Sequence, residues 1–268
     1  MINHWRAGPL SPVSLSKYDP DSTHHGPGNR AETKTATLPM HARLLDLQER
    51  LWAEHRRSLL VILQGIDAAG KDGTISHVFQ GVNPLGTRVA AFKAPTSTEL
   101  EHDFLWRIHA EVPSAGEIGI FNRSQYEDVL VPYVHGQISK DERNRRIIHI
   151  NEFESLLTDS GTTIVKFFLH ISKDEQRERL QERLDIPSKR WKMQLADLDE
   201  RALWDNYQEA FEMMLEHTST EVAPWQIVPA DHKWYRNYVV STILIDVLEN
   251  MNPQHPDVPS FKGVVIEP

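Results

Sequence analysis

Five short apolar runs alternate along the chain with longer stretches in which apolar residues recur every three or four positions. The first run, Leu59 to Leu63, is uninterrupted and stops just before Gly65. Runs at Arg88 to Phe92, Glu117 to Phe121, Thr162 to His170 and Ala223 to Pro229 follow it. Short apolar runs of this kind, separated by helical patterns, predict strands buried on both faces of a parallel sheet. Among the helical stretches, Met40, Leu44, Leu47, Leu51 and Trp52 predict a helix from Pro39 to Arg57, and Leu100, Phe104, Leu105 and Ile108 predict one over Ser97 to His109. Ile147, Ile148, Ile150, Phe153 and Leu156 mark a helix opened by the capping box Ser139 to Glu142. Leu203, Trp204, Tyr207, Phe211 and Leu215 give a further long helix, and a last one ends near Asn250. The alternation predicts an α/β fold on a five-stranded parallel sheet. Residues 1–38, with four prolines and no sustained period, predict an extended arm that wraps the domain or is partly disordered; 39–251 form the domain; 252–268, with Pro253, Pro256, Pro259 and Pro268, form a tail that covers it or reaches an oligomer partner.

Composition narrows the chemistry. A length of 268 residues, 40% of them hydrophobic, supports one sizeable core. No run approaches a membrane span, and the first residues lack the apolar centre of a signal peptide, so a soluble, cytoplasmic protein is expected, without a membrane partner. The absence of cysteine excludes disulfides, thiolate zinc sites and a thiol nucleophile. A net charge of −9 argues against nucleic acid as a partner. The charge is segregated, however: Lys173, Arg177, Arg179, Arg183, Lys189, Arg190 and Lys192 cluster after the fourth run, and acids dominate from Gln194 to Glu221.

The chemistry is concentrated after the first strand. Gly65, four residues, then Gly70 and Lys71 is the spacing of a phosphate-binding P-loop, here Gly65-Ile-Asp67-Ala68-Ala69-Gly70-Lys71-Asp72-Gly73-Thr74. Such a loop brings backbone N–H groups and a lysine to phosphate oxygens, and the following helix adds its partial positive charge. Asp72 stands where a hydroxyl residue usually follows the lysine. Two carboxylates, Asp67 and Asp72, would repel a polyanion unless a divalent cation, Mg²⁺ or Mn²⁺, sits between them and it. Asp72 is either such a ligand or an ordinary acid of the first helical turn.

Further candidates lie where later strands end. Lys93 leaves the second strand at the edge that carries the ligand crevice of an open parallel sheet. Asn122 follows the third strand at the position where a P-loop enzyme usually places a metal-binding acid. That acid is then supplied by Asp67, Asp72 or Asp128. Arg123 suits a phosphate clamp. The basic stretch of about 173–193 reads either as a mobile lid, with Arg183, Lys189 and Lys192 over a polyanion, or as a surface helix laced with i,i+4 pairs, which better explains Arg177 and Arg179. Arg143, Arg145 and Arg146 oppose the dipole of their helix and mark an anion nearby or a solvated basic face.

The blocks GIDAAGKDG (65–73), FKAPTSTEL (92–100), DFLWR (103–107), IFNRSQYEDVLV (120–131), DIPSKRWKM (185–193) and APWQIVPADHKWYRN (223–237) closely resemble the polyphosphate kinase 2 family. Asn122 and Asp72 look like the subgroup that accepts both AMP and ADP. The resemblance implies a P-loop NTPase-like three-layer sandwich with a helical lid, similar to thymidylate kinase. It also implies Mg²⁺, assembly into dimers or tetramers, and reversible phosphoryl transfer between inorganic polyphosphate and nucleotides, AMP and ADP giving ADP and ATP. Carried onto this chain, Asp67 positions a metal or the accepting oxygen, Lys71 binds the transferring phosphate, Asn122 takes the acid's place, Arg123 clamps phosphate and Arg183 comes from the lid. Glu127 and Asp128 match the subgroup's YED, with nucleotide or metal contacts. Tyr133 stands where an arginine is expected. Two other readings are an ordinary kinase with ATP as donor, against which Asp72 argues, and a non-catalytic nucleotide-binding module, for which Asn122 argues.

Overall fold

The computed structural model describes residues 4–194, 196–258 and 264–266. In chain order the elements are α1 (Arg30–Glu54), β1 (Ser58–Gln64), α2 (Lys71–Val78), β2 (Thr87–Ala91), α3 (Ser97–Leu100), α4 (Trp106–His109), β3 (Ile118–Asn122), α5 (Glu127–Val134), α6 (Lys140–Asp159), β4 (Thr162–His170), α7 (Lys173–Asp185), α8 (Ala196–Ala202), α9 (Trp204–Thr218), β5 (Trp225–Pro229) and α10 (Lys233–Met251). A 3-10 turn, Pro187–Lys192, follows α7.

The five strands form one parallel sheet in the order β2-β3-β1-β4-β5. Every residue of β1 is buried, as its uninterrupted apolar run requires. The register aligns Leu63 with Asn122, so the loop after β1 and the loop after β3 leave the sheet side by side. On the other flank Gln64 aligns with Phe168, and β4 and β5 end together at His170 and Pro229. All the candidate chemistry therefore rises from one end of the sheet, the carboxyl end, where parallel α/β sheets hold their ligands.

Three expectations change. The arm does not reach residue 38. Asn29 caps α1, accepting from the N–H groups of Ala31 and Glu32 while Glu32 answers the Asn29 N–H, and the helix starts at Arg30. The cap satisfies three N–H groups, and the helix carries Pro39 in its interior rather than at its start. The described arm residues wrap the domain: Trp5, Ala7, Val13 and Leu15 are buried, Ala7 N–H donates to Trp225 and Ile227 N–H to Trp5. Second, the stretch 97–109 is two single turns, α3 and α4, because Asp103 accepts from the Leu105 N–H and breaks the run; Leu100 stays exposed. Third, the basic start of α6 is partnered within the chain rather than solvated. Arg145 and Arg146 pair with Glu142, and buried Arg143 stacks on Tyr133, 4.0 Å from its ring centroid. Tyr133 thus packs beneath an arginine in place of supplying one. Of the tail, Pro259 and Pro268 lie outside the described residues.

One charge pair sits in the core. Lys166, in the middle of β4 and wholly inaccessible, donates to Glu154 of α6 at 2.6 Å, to the Tyr126 hydroxyl at 2.8 Å and to the Thr218 carbonyl at 2.7 Å. Tyr126 donates in turn to Glu154 at 2.5 Å. Burial disfavours charge on the Lys166 ammonium, against the attraction of Glu154. A buried ion pair survives when its remaining donors and acceptors are matched, as here, and fails when one member is removed. Glu154→Ala is expected to lower the unfolding free energy by about 3–5 kcal/mol in urea denaturation, and Glu154→Leu with Lys166→Met to recover most of that loss. A loss under about 1 kcal/mol for the single variant would show that the pair is dispensable.

Candidate active site

The P-loop is a wrapped turn whose carbonyls are all spoken for. Gly65 has φ 150°, and a Cβ there would lie 2.7 Å from the Leu169 carbonyl oxygen; Ala68 adopts φ 65° and Gly70 φ 102°. Non-glycine residues in the left-handed region gather at functional turns. Lys71, at the first position of α2 and almost wholly buried, donates to the Gly65 carbonyl at 2.5 Å and the Ile66 carbonyl at 3.3 Å. Arg179 of α7 holds the other side, donating to Ala68 and Ala69 at 3.0 and 2.8 Å and to Ala230 and Asp231 at 2.6 and 3.0 Å. Gln176, one turn earlier, donates to the Asp67 carbonyl at 3.0 Å.

Around this loop the structure gathers most of the expected residues. Arg123 leaves β3 with φ 65° and reaches Asp67 at 2.7 Å and Glu127 at 3.8 Å. Asn122 donates to Asp72 at 2.6 Å, and the Lys192 ammonium stands 3.9 Å from the same carboxylate. Arg183 sits beside Asp197 and contributes its field to Asp67. Burial works to raise the Asp67 carboxyl, but Lys71 and Arg123 outweigh it and hold Asp67 below the ordinary range. Burial, reinforced by Arg123, lowers Lys71. Glu127 goes the other way: burial raises it in spite of Arg123 and Lys71. Gln64, with its amide turned to satisfy both ends, donates to Glu127 at 3.0 Å and accepts from Ser124.

Other expected residues stand elsewhere. Asp128 is not a partner of Asp67; it is buried in an ion pair with Arg107 at 3.0 Å, and Arg107 also donates to the Lys93 carbonyl. Arg107, of the helical stretch before β3, thus ties the loop after β2 to α5. The Lys93 ammonium is exposed and has no ion pair among the described residues. Lys189 is bound to Glu182 at 2.6 Å. The Thr74 hydroxyl donates back to the Gly70 carbonyl, and Gly73 has room for a side chain. Among the described residues no group of three or more His, Asp or Glu side chains is placed to hold a metal. Asp67, Asp72 and the Asn122 amide oxygen suit a cation that completes its shell with water and phosphate oxygens, the usual habit of Mg²⁺.

Sequence reasoning missed Arg179, Gln176 and Arg236. The reading of Arg179 as part of an i,i+4 surface pair holds in one respect, since Glu175, four residues before it, binds it at 2.6 Å. The signal lay in the face: Gln176, Arg179, Leu180 and Arg183 share one side of α7, and the first three are buried. Arg236 is also buried, and its guanidinium occupies the space a Cβ on Gly70 would need. Desolvation, with the neighbouring Arg179, lowers it to about 9.

Two outcomes are expected. Arg179→Lys, which cannot span four carbonyls, should lower kcat/KM by about 10²-fold, and an unchanged value would remove Arg179 from the site. Glu127→Gln tests the charge balance. Because the folded carboxyl is raised above its unfolded value, the folded state holds the proton longer, and stability is lost as pH rises through that window. The variant should therefore melt on the order of 2–4 °C higher at pH 7, with a smaller difference at pH 4, in calorimetry; a lower melting temperature at pH 7 would contradict the sign.

The sequence profile described as Polyphosphate kinase 2 (PPK2) matches residues 28–256. The chain is 53% identical over 255 residues to an AMP/ADP-polyphosphate phosphotransferase of Meiothermus ruber, covering 95% of this chain and 96% of that one. It is 46% identical over 227 residues to an ADP-polyphosphate phosphotransferase of Rhodopseudomonas palustris, covering 80% and 78%. The crystal structure of polyphosphate kinase 2 from Arthrobacter aurescens TC1 superposes with a TM-score of 0.92 at 49% identity, over 95% of this chain and 91% of that one. A loop whose carbonyls are bonded by Lys71, Gln176 and Arg179, with Arg123 and Arg183 near Asp67, is the arrangement these similarities accompany, and the chain belongs to the polyphosphate kinase 2 family.

Proposed function

We propose that this chain transfers a terminal phosphoryl group from inorganic polyphosphate to AMP or ADP, giving ADP or ATP, and runs in reverse. The observation that carries this is the convergence of Lys71, Arg123 and Arg183 on the Asp67 carboxylate at the mouth of the P-loop. An acceptor phosphate oxygen attacks the terminal phosphorus, the bridging P–O bond breaks, and the shortened chain leaves with the bridging oxygen. The loose transition state of such a transfer asks for positioning and positive charge, not for a covalent intermediate. Lys71 holds the transferring group, and Arg123, aimed by Asp67, faces it from β3. Arg183 and Lys192, on α7 and the turn after it, form the lid of about 173–193 over the anionic chain. A bound Mg²⁺, held by Asp67 and Asp72 with Asn122, would neutralise phosphate charge. The similarity of 53% to an enzyme named for both AMP and ADP, above the 46% to one named for ADP, supports both acceptors.

The test is product formation by the purified protein with Mg²⁺ and long-chain polyphosphate, offered AMP and ADP separately. ADP and then ATP from AMP are expected, and Lys71→Ala should lose about 10³-fold or more in kcat. Product with ATP as donor and none with polyphosphate would reverse the assignment of the donor. Turnover untouched by Lys71→Ala would remove the P-loop from the reaction.

A further inference from the structure

Beside the P-loop helix, on the side away from β3, the start of α1, the end of α2 and the first turn of α10 enclose a cavity of about 350 Å³. Its rim carries Arg30, Lys34 and Lys233, and no carboxylate lines it. Arg30 and Lys34 lie one helical turn apart, both exposed, and neither has an ion pair among the described residues. Lys233 has Glu182 at 3.6 Å. The walls are of another kind. Leu38, the Trp234 indole and the imidazoles of His41 and His77, whose ring centroids lie 5.4 Å apart, give flat and apolar surface. His41 Nε2 is buried with no hydrogen-bond partner among the described residues. Asn237, at the floor, accepts twice from Arg236 through Oδ1, and its Nδ2 makes no hydrogen bond among the described residues.

Each of these features selects for a ligand. Three cations at the starts of two long helices, two of them without an ion pair among the described residues, favour phosphate by their own charge and by the partial charges of the helix ends. An inorganic chain would gain nothing from Leu38, Trp234 and the two imidazoles, whereas a planar base gains burial and stacking on them. The volume is that of a small-molecule site. His77 is held below the ordinary imidazole range by burial and by His41, Arg236 and Lys34, which marks the place as electropositive before any ligand enters.

We propose that this cavity is a second nucleotide site, apart from the catalytic crevice, which takes a nucleoside mono- or diphosphate with its base against Trp234 and Leu38 and its phosphates at Arg30, Lys34 and Lys233. It is joined to the catalytic loop by one relay. Asn237 on the cavity floor holds the Arg236 guanidinium, and that guanidinium lies against Gly70. An occupant that engages Asn237 therefore acts on the loop through Arg236.

The test is a binding stoichiometry that does not depend on turnover, so its failure leaves the catalytic reading standing. Labelled ADP is titrated by equilibrium dialysis, with EDTA present, against the wild-type chain and against Arg30→Glu/Lys34→Glu. Circular dichroism establishes that the doubly substituted chain, changed only at exposed positions, is folded. The substituted chain should bind one molecule fewer than wild type, and Lys34→Ala alone should weaken that site at least tenfold. Equal stoichiometry and affinity in all three chains would overturn the proposal. A parallel titration uses inorganic tripolyphosphate: if charge reversal abolished its binding and left that of ADP intact, the cavity would belong to an inorganic chain and the nucleotide assignment would fall.

Discussion

A loop that points its N–H groups at an anion has to turn its carbonyl oxygens inward, and each of those oxygens, once out of water, needs a donor. Most of this molecule can be understood as supplying them. Lys71 covers Gly65 and Ile66 from inside the turn, Gln176 covers Asp67, and a single guanidinium, that of Arg179, covers Ala68 and Ala69 while reaching Ala230 and Asp231. The P-loop is thereby fastened to α7 and to the loop after β5, elements more than a hundred residues away in sequence. Whatever moves α7 pulls on the phosphate-binding backbone.

The same arrangement concentrates positive charge. Lys71, Arg123, Arg179, Arg183 and Arg236 lie around one turn of chain, and burial adds to their mutual repulsion, as the lowered Lys71 and Arg236 show. Asp67, Asp72 and Glu127 answer from the loop and from α5, Glu175 and Asp197 answer Arg179 and Arg183, and Glu127 is itself pushed up by burial. An excess of cations without solvent or counter-charge is unfavourable on its own. Filled by a polyanion, the same charges are satisfied, so binding energy and catalytic electrostatics have a common source.

The strands, the P-loop and the polar residues that end β3 were legible because each is written in consecutive residues: an apolar run, a glycine spacing, a polar residue at a strand end. From these followed Asp67, Lys71, Asn122 and Arg123, which the register does bring together. Residues whose role is set by packing were not legible. Asp128 reads as a site acid and Arg107 as a base facing either solvent or the site until the chain folds them against each other. Arg179 looked like half of an i,i+4 pair, which it is, and its other four bonds go to backbone atoms that no side-chain pattern records. The start of α1 was misread because Pro39 is a strong local signal and the cap at Asn29 a quiet one.

The N-terminal arm completes the sheet as well as covering it. β5 ends the strand order, and its outer backbone groups would be open to any extended peptide that met them; Trp5 to Ala7 take that position antiparallel, with bonds from Ala7 to Trp225 and from Ile227 to Trp5. The chain so acts as its own competitor at one of the two edges of its sheet, the β5 edge, where a neighbouring molecule could otherwise extend it. Residues far from the P-loop thereby occupy the β5 edge, and trimming the N-terminus before Gly8 would leave its backbone groups open to an extended peptide.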